Sequence, residues 1–155
     1  MTPATKLAQR LALGVPALLL AGAYISQYGF ALYPCEMCWW QRYGHFAGLA
    51  FALLSTFAPP RRLWIALAAL GIAGSGLIGA FHAGVEYGWW EGITTCAIPV
   101  SEGANALDAI LNAPIVRCDV APWSLFGISL AGFNALFSIA TALAIFSLLR
   151  EKRQP

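Results

Sequence analysis

The sequence predicts an all-α fold, an integral membrane four-helix bundle with both termini cytoplasmic and two loops on the outer side. Three observations lead there. Hydrophobic residues make up 59% of the 155 residues and charged residues only 10%, whereas a soluble domain carries about 25% charged residues. The apolar residues gather into four segments, about 11–30, 40–57, 63–84 and 124–149, and ~20 helical residues cross a ~30 Å hydrocarbon core. Seven of the nine basic residues (Lys6, Arg10, Arg61, Arg62, Arg150, Lys152 and Arg153) flank the same ends of these segments. The positive-inside rule puts those ends in the cytoplasm. The whole chain reads as one membrane domain, and a net charge of +2 gives no basis for nucleic-acid binding.

The first segment follows a short polar start and carries Pro16, tolerated in a membrane helix when neighbours satisfy the freed backbone groups. Lys6 and Arg10 before an apolar run could mark a secretory signal, but the run continues to Ala31, too long for one. The second segment is short unless its helix begins near Cys38, which the reading adopts. Pro34 suits a first helical turn, where its missing N–H is unpaired anyway. Ala58-Pro59-Pro60-Arg61-Arg62 is the inner turn. The third segment is rich in small residues, Gly71, Gly74, Ser75, Gly76, Gly79 and Ala80, which suit close helix packing. Trp39, Trp40, Trp89, Trp90 and Trp123 read as an outer interfacial belt. In the long loop 85–123, Ser101 reads as the N-cap of a short amphipathic helix carrying Ala104, Leu107, Ile110 and Leu111 on the outer leaflet.

All four cysteines fall in the outer loops, 31–39 and 85–123. Cys35 and Cys38 form a Cys-x-x-Cys, and Arg42 follows Cys38 at i, i+4, on the same helix face. A helix N-terminus stabilises a thiolate. A metal site is disfavoured because Cys96 and Cys118 are far apart in sequence and neither His stands at ligand spacing. A Cys96–Cys118 staple would be worth ~3 kcal/mol by loop entropy. Closing the short Cys35–Cys38 loop stabilises little, so that pair suits a disulfide that is made and broken. The redox reading uses both pairs and a lipid-soluble acceptor such as a quinone. The non-enzymatic alternative is a membrane scaffold with two structural disulfides. Arg42 could instead be an interfacial anchor. His82 could be satisfied inside the bundle or belong to a quinone site, His45 reads as structural and Glu86 as solvated.

Pro-Cys-x-x-Cys-x-x-x-Arg after a first span, four spans, a Cys…Cys pair in the second outer loop, Gly79–Glu86 and the Trp123–Gly127 start of the last span together resemble the DsbB family of quinone-linked disulfide bond formation proteins. The resemblance covers nearly the whole chain. It implies a bacterial inner-membrane dithiol:quinone oxidoreductase with periplasmic loops and a periplasmic DsbA-like thioredoxin-fold partner. It further implies that Cys96 and Cys118 take electrons from that partner, with Cys96 forming the mixed disulfide. Cys35 and Cys38 then receive them. Cys38 would be the thiolate that reduces ubiquinone or menaquinone, and Arg42 would polarise a quinone carbonyl. Gln41 stands where some members have an acid and receives no role. An epoxide-reductase-like enzyme is a weaker match, because that branch usually spaces its cysteine pairs differently.

Overall fold

The computed structural model describes residues 1–94 and 116–150. Cys96 and the amphipathic stretch after Ser101 lie outside the described residues. Four helices dominate: α1 Pro3–Gly29, α2 Glu36–Phe57, α3 Arg61–Glu86 and α4 Leu130–Arg150. Helices α1, α3 and α4 are long and apolar enough to cross a membrane. Helix α2 has 22 residues. Its N-terminal half is less apolar because it carries Gln41, Arg42 and His45, all three buried in the bundle, as intramembrane polar residues require.

The helix starts follow local chemistry. The Thr2 hydroxyl accepts from the Thr5 N–H at 3.2 Å, and Pro3 occupies the first helical position, so α1 begins well before its apolar segment. Cys35 itself is the N-cap of α2, its sulfur accepting from the Cys38 N–H at 3.3 Å. Pro34 therefore precedes the helix rather than sitting in its first turn. The apolar segment that begins at Ser124 is not helical throughout. Ser124–Leu125 and Ile128–Ser129 form a two-stranded antiparallel hairpin, β1 and β2. Its turn residues Phe126 and Gly127 have φ of 52° and 77°, the doubly positive geometry of a tight hairpin turn. Helix α4 starts only after it. The Tyr87 hydroxyl accepts from the Ser129 N–H at 2.9 Å and donates to the Gly127 carbonyl at 3.0 Å, pinning the hairpin to the end of α3.

Helix α3 is central and packs most closely on α2 and α4. Small residues permit this, as the sequence suggests. A Cβ on Gly71 would lie 2.9 Å from the Gly48 nitrogen and 3.0 Å from the Gly44 carbonyl oxygen. On the other flank, a Cβ on Gly79 would lie 3.0 Å from the Ala131 carbonyl oxygen. Backbones this close leave no room for a methyl group. Of the two outer tryptophan pairs, Trp90 does more than mark an interface. Its ring stacks on Phe81 at 5.7 Å and its Nε1 donates to the Phe81 carbonyl at 2.9 Å, while Trp89 stays exposed.

Candidate functional site

The N-terminus of α2 and the C-terminal end of α3 bring three sulfurs together. Cys35 and Cys38 have Sγ atoms 2.9 Å apart. Cys118, from the loop before the hairpin, is buried in the same cluster as Cys35, Met37 and Val85. The Thr94 hydroxyl donates to the Cys118 sulfur at 3.4 Å. Position 38 precedes the apolar stretch of α2, so both sulfurs of the Cys-x-x-Cys stand ahead of the span. They are not equivalent. The Cys35 thiol is pushed up to about 12 by its hydrogen bond to the Cys38 sulfur, with burial adding to it. Cys38 is lowered from the ordinary thiol value, chiefly because it accepts that same hydrogen bond, although burial opposes this. Cys38 is thus the more acidic thiol of the pair. Burial also raises the Cys118 thiol, to about 11.

His82 stands beside the pair. Its Nε2 is 3.6 Å from the Cys35 sulfur and 3.8 Å from a Glu86 carboxylate oxygen. Its Nδ1 is 3.0 Å from Gln41 Nε2. Glu86 is not solvated, as the sequence reading has it. Its side chain is 2% exposed, because one helical turn places it over His82 at the capped end of α3. The ligand atoms of Cys35, Cys38 and His82 all lie within 4.8 Å of one another, so His82 joins the thiols although sequence spacing does not mark it as a ligand. Two thiolates on one tetrahedral zinc at ~2.3 Å sit roughly 3.8 Å apart. The 2.9 Å separation of the sulfurs here suits a dithiol pair better.

Arg42 is 5% exposed and does not reach for a lipid phosphate. It is strapped to α1, donating to Gln27 Oε1 at 2.6 Å and to the Ala23 carbonyl at 3.2 Å. The rings of Tyr24 and Trp39 lie 4.7 Å and 4.9 Å from its guanidinium carbon, within cation–π range. No carboxylate pairs with it among the described residues.

Between α1, α2 and α4 lies an apolar cavity of about 270 Å³. Leu18, Leu19, Phe133 and Phe137 line its apolar part, and Cys38, Gln41, Arg42, His45 and Asn134 supply the polar groups. A second, more open cavity of about 400 Å³ is lined by Cys35, Cys38, His82, Val116 and Arg117. Cys38 is the one residue carrying a thiol on both linings among those described. The structure therefore separates Arg42 from His82, both of which the sequence reading offers to a quinone site. Arg42 faces the first cavity and His82 the second.

Sequence reasoning missed the groups that join them. Gln41 Oε1 accepts from Asn134 Nδ2 at 2.8 Å, and Asn134 Oδ1 meets His45 Nε2 at 2.8 Å. A signal for part of this was available. Cys38, Gln41, Arg42 and His45 stand at i, i+3, i+4 and i+7, a polar stripe on one helix face. Asn134 lies alone in a long apolar run and gave no such signal.

Comparison with curated proteins and with solved structures found no match. The family model for disulfide bond formation protein DsbB matches residues 5–148, which takes in the four helices, the Cys-x-x-Cys and Cys118. The chain belongs to the DsbB family of disulfide bond formation membrane proteins.

Proposed function

We propose that this protein is a thiol:quinone oxidoreductase of the bacterial inner membrane. It reoxidises a periplasmic DsbA-like dithiol protein and passes the electrons to membrane quinone. The observation that carries the reading is the place of Cys38, in the wall between a more open cavity that Cys35 also lines and an apolar cavity lined by a buried guanidinium. In this reading both termini are cytoplasmic and the cysteines periplasmic, as the charge distribution favours.

The residues fit a quinone head group. A cavity of about 270 Å³ is at the lower end for small-molecule sites, enough for a ring but not for a long isoprenoid tail. Its walls are apolar, and Arg42, Gln41 and Asn134 supply the few convergent polar groups that fix orientation. A bound quinone supplies a two-electron, two-proton acceptor. The balance is closed: two thiols give up two electrons and two protons and become one disulfide.

The chain's own residues then divide the work. Cys38 presents the thiolate. Cys35 keeps its proton until its sulfur closes the disulfide with Cys38, and His82 Nε2 stands beside that sulfur. Arg42 holds positive charge at the cavity, where excess electron density would otherwise be buried without compensation. Cys118, packed on Cys35, supports thiol–disulfide exchange between the two loops, with Cys96 as its partner and the site of the mixed disulfide.

The decisive experiment mixes the purified protein, without oxygen, with quinone and a reduced thioredoxin-fold partner and follows quinol by absorbance. Quinol is expected with the parent and not with Cys38→Ser. Quinol formation persisting in Cys38→Ser, or absent with the parent, would favour the scaffold reading with two inert disulfides.

A further inference from the structure

The hydrogen-bond network behind the cavity has a fixed direction, and that direction assigns a task to His45. Side-chain amides can be built either way round, but here backbone carbonyls, which only accept, settle both. Gln41 Nε2 lies 3.2 Å from the Met37 carbonyl, so that end must be the donor. Asn134 Nδ2 lies 3.2 Å from the Ser75 carbonyl and is likewise the donor. Gln41 Oε1 then accepts from Asn134, and Asn134 Oδ1 is left as an acceptor for the Ser138 hydroxyl at 3.0 Å and for His45 Nε2 at 2.8 Å. His45 Nε2 therefore carries the hydrogen. In the neutral imidazole, Nδ1 is then a bare acceptor. It is buried and has no partner among the described residues.

An unpaired buried acceptor is costly, and this one belongs to a residue that lines the cavity beside Arg42. The two groups have opposite polarity. Arg42 can only donate and suits a carbonyl oxygen. An unprotonated imidazole nitrogen repels a carbonyl lone pair and suits a hydroxyl. We propose that His45 is a positioning residue that favours the reduced head group, its Nδ1 accepting a hydrogen bond from a quinol hydroxyl. This inference rests on the reading of the cavity as a quinone site. Preferring quinol to quinone draws electrons out of the dithiol, at the expense of slower product release.

The test measures two affinities on one protein. A one-isoprene ubiquinone and its quinol are titrated separately, without oxygen, against the full chain in a Cys38→Ala background, where neither form can exchange electrons with that sulfur. Binding is read by quenching of tryptophan fluorescence. His45→Leu should weaken quinol binding about fivefold, the value of one ordinary hydrogen bond, and leave quinone binding within about twofold. His45→Asn, whose Oδ1 lies as many bonds from the backbone as Nδ1, should keep most of the preference, and His45→Gln should lose it. The Asn and Gln pair decides the matter even if the leucine variant does not fold. Equal losses for both forms, or no change in either, would overturn the role of His45. A background protein that binds neither form would instead overturn the quinone site itself.

Discussion

The end of the bundle near the 58–60 turn and its sulfur end are built from different materials. At the first of these the four helices meet through Ala8, Ala12, Ala52, Ile65, Ala68, Ala69, Ile72 and Ile145, all fully buried. The polar contacts there include Gln9 Nε2 to the Ser55 hydroxyl at 2.9 Å, between α1 and α2. The Arg62 guanidinium also donates to the Leu149 carbonyl and satisfies an orphan acceptor at the end of α4. At the sulfur end the buried residues include Gln41, Arg42, His45 and His82. Polar groups there are costly to bury unless each is held by a partner. The comparison teaches a division of labour. Close apolar packing at one end fixes the helices, and that rigidity lets the other end hold reactive groups in place.

Substitutions can break that division, and they rank by expected effect. The largest is Cys38→Ala, which should reduce quinol formation to background while leaving the thermal unfolding temperature nearly unchanged. Next, Arg42→Gln removes charge-assisted hydrogen bonds, each worth about 1.5–3 kcal/mol. The quinone KM should rise roughly 10- to 150-fold, with the KM for the protein partner unchanged. An equal rise in both would mean that Arg42 only supports the fold. The third strikes the packing. Gly71→Ala forces α2 and α3 apart and should cost about 1–3 kcal/mol, read as lower thermal stability in detergent. Alkylation of Cys38 per folded molecule should not change.

The fourth outcome is a pH profile. A thiol whose pKa lies below its ordinary value becomes thiolate, and so alkylates, at lower pH. Iodoacetamide labelling of Cys38 should therefore reach half its maximal rate below pH 9.0, the ordinary thiol value, and that of Cys35 only near pH 12. Cys35→Ala removes the main cause and should move the Cys38 profile upward. A Cys38 profile that stays put would show that the helix N-terminus, not the neighbouring sulfur, sets its acidity. The smallest effect concerns the surface. Arg117 and Asp119 form an exposed bidentate pair at 2.9 and 2.6 Å, and Asp119→Asn should leave the unfolding temperature unchanged, since such pairs contribute little.

Much of the fold was legible because long apolar runs report directly on membrane-crossing helices. The four apolar runs correspond to four helices, and Cys35 and Cys38 stand at a helix N-terminus as their context suggests. What hydropathy cannot see is a turn made of apolar residues. Leu125, Phe126 and Ile128 read as helix, yet Gly127 and the positive φ of Phe126 close a hairpin there. The site was legible wherever residues share one helix, as Cys38 and Arg42 do. It was not legible where helices distant in sequence meet. Nothing in the order of residues places Asn134 against Gln41 and His45, or His82 against Cys35 rather than Arg42. Glu86 was misread for a related reason, since its burial depends on the neighbours of α3 and not on its own surroundings in the chain.

The strap from Arg42 to Gln27 and Ala23 carries a consequence for α1. That helix bears no sulfur and no titratable side chain at the cavity, and a survey of mutants would pass it over as a passive anchor. Yet its Ala23 carbonyl and its Gln27 amide fix the address of the buried guanidinium. A lesion such as Gln27→Leu would therefore masquerade as a defect in electron delivery, though every thiol remained intact.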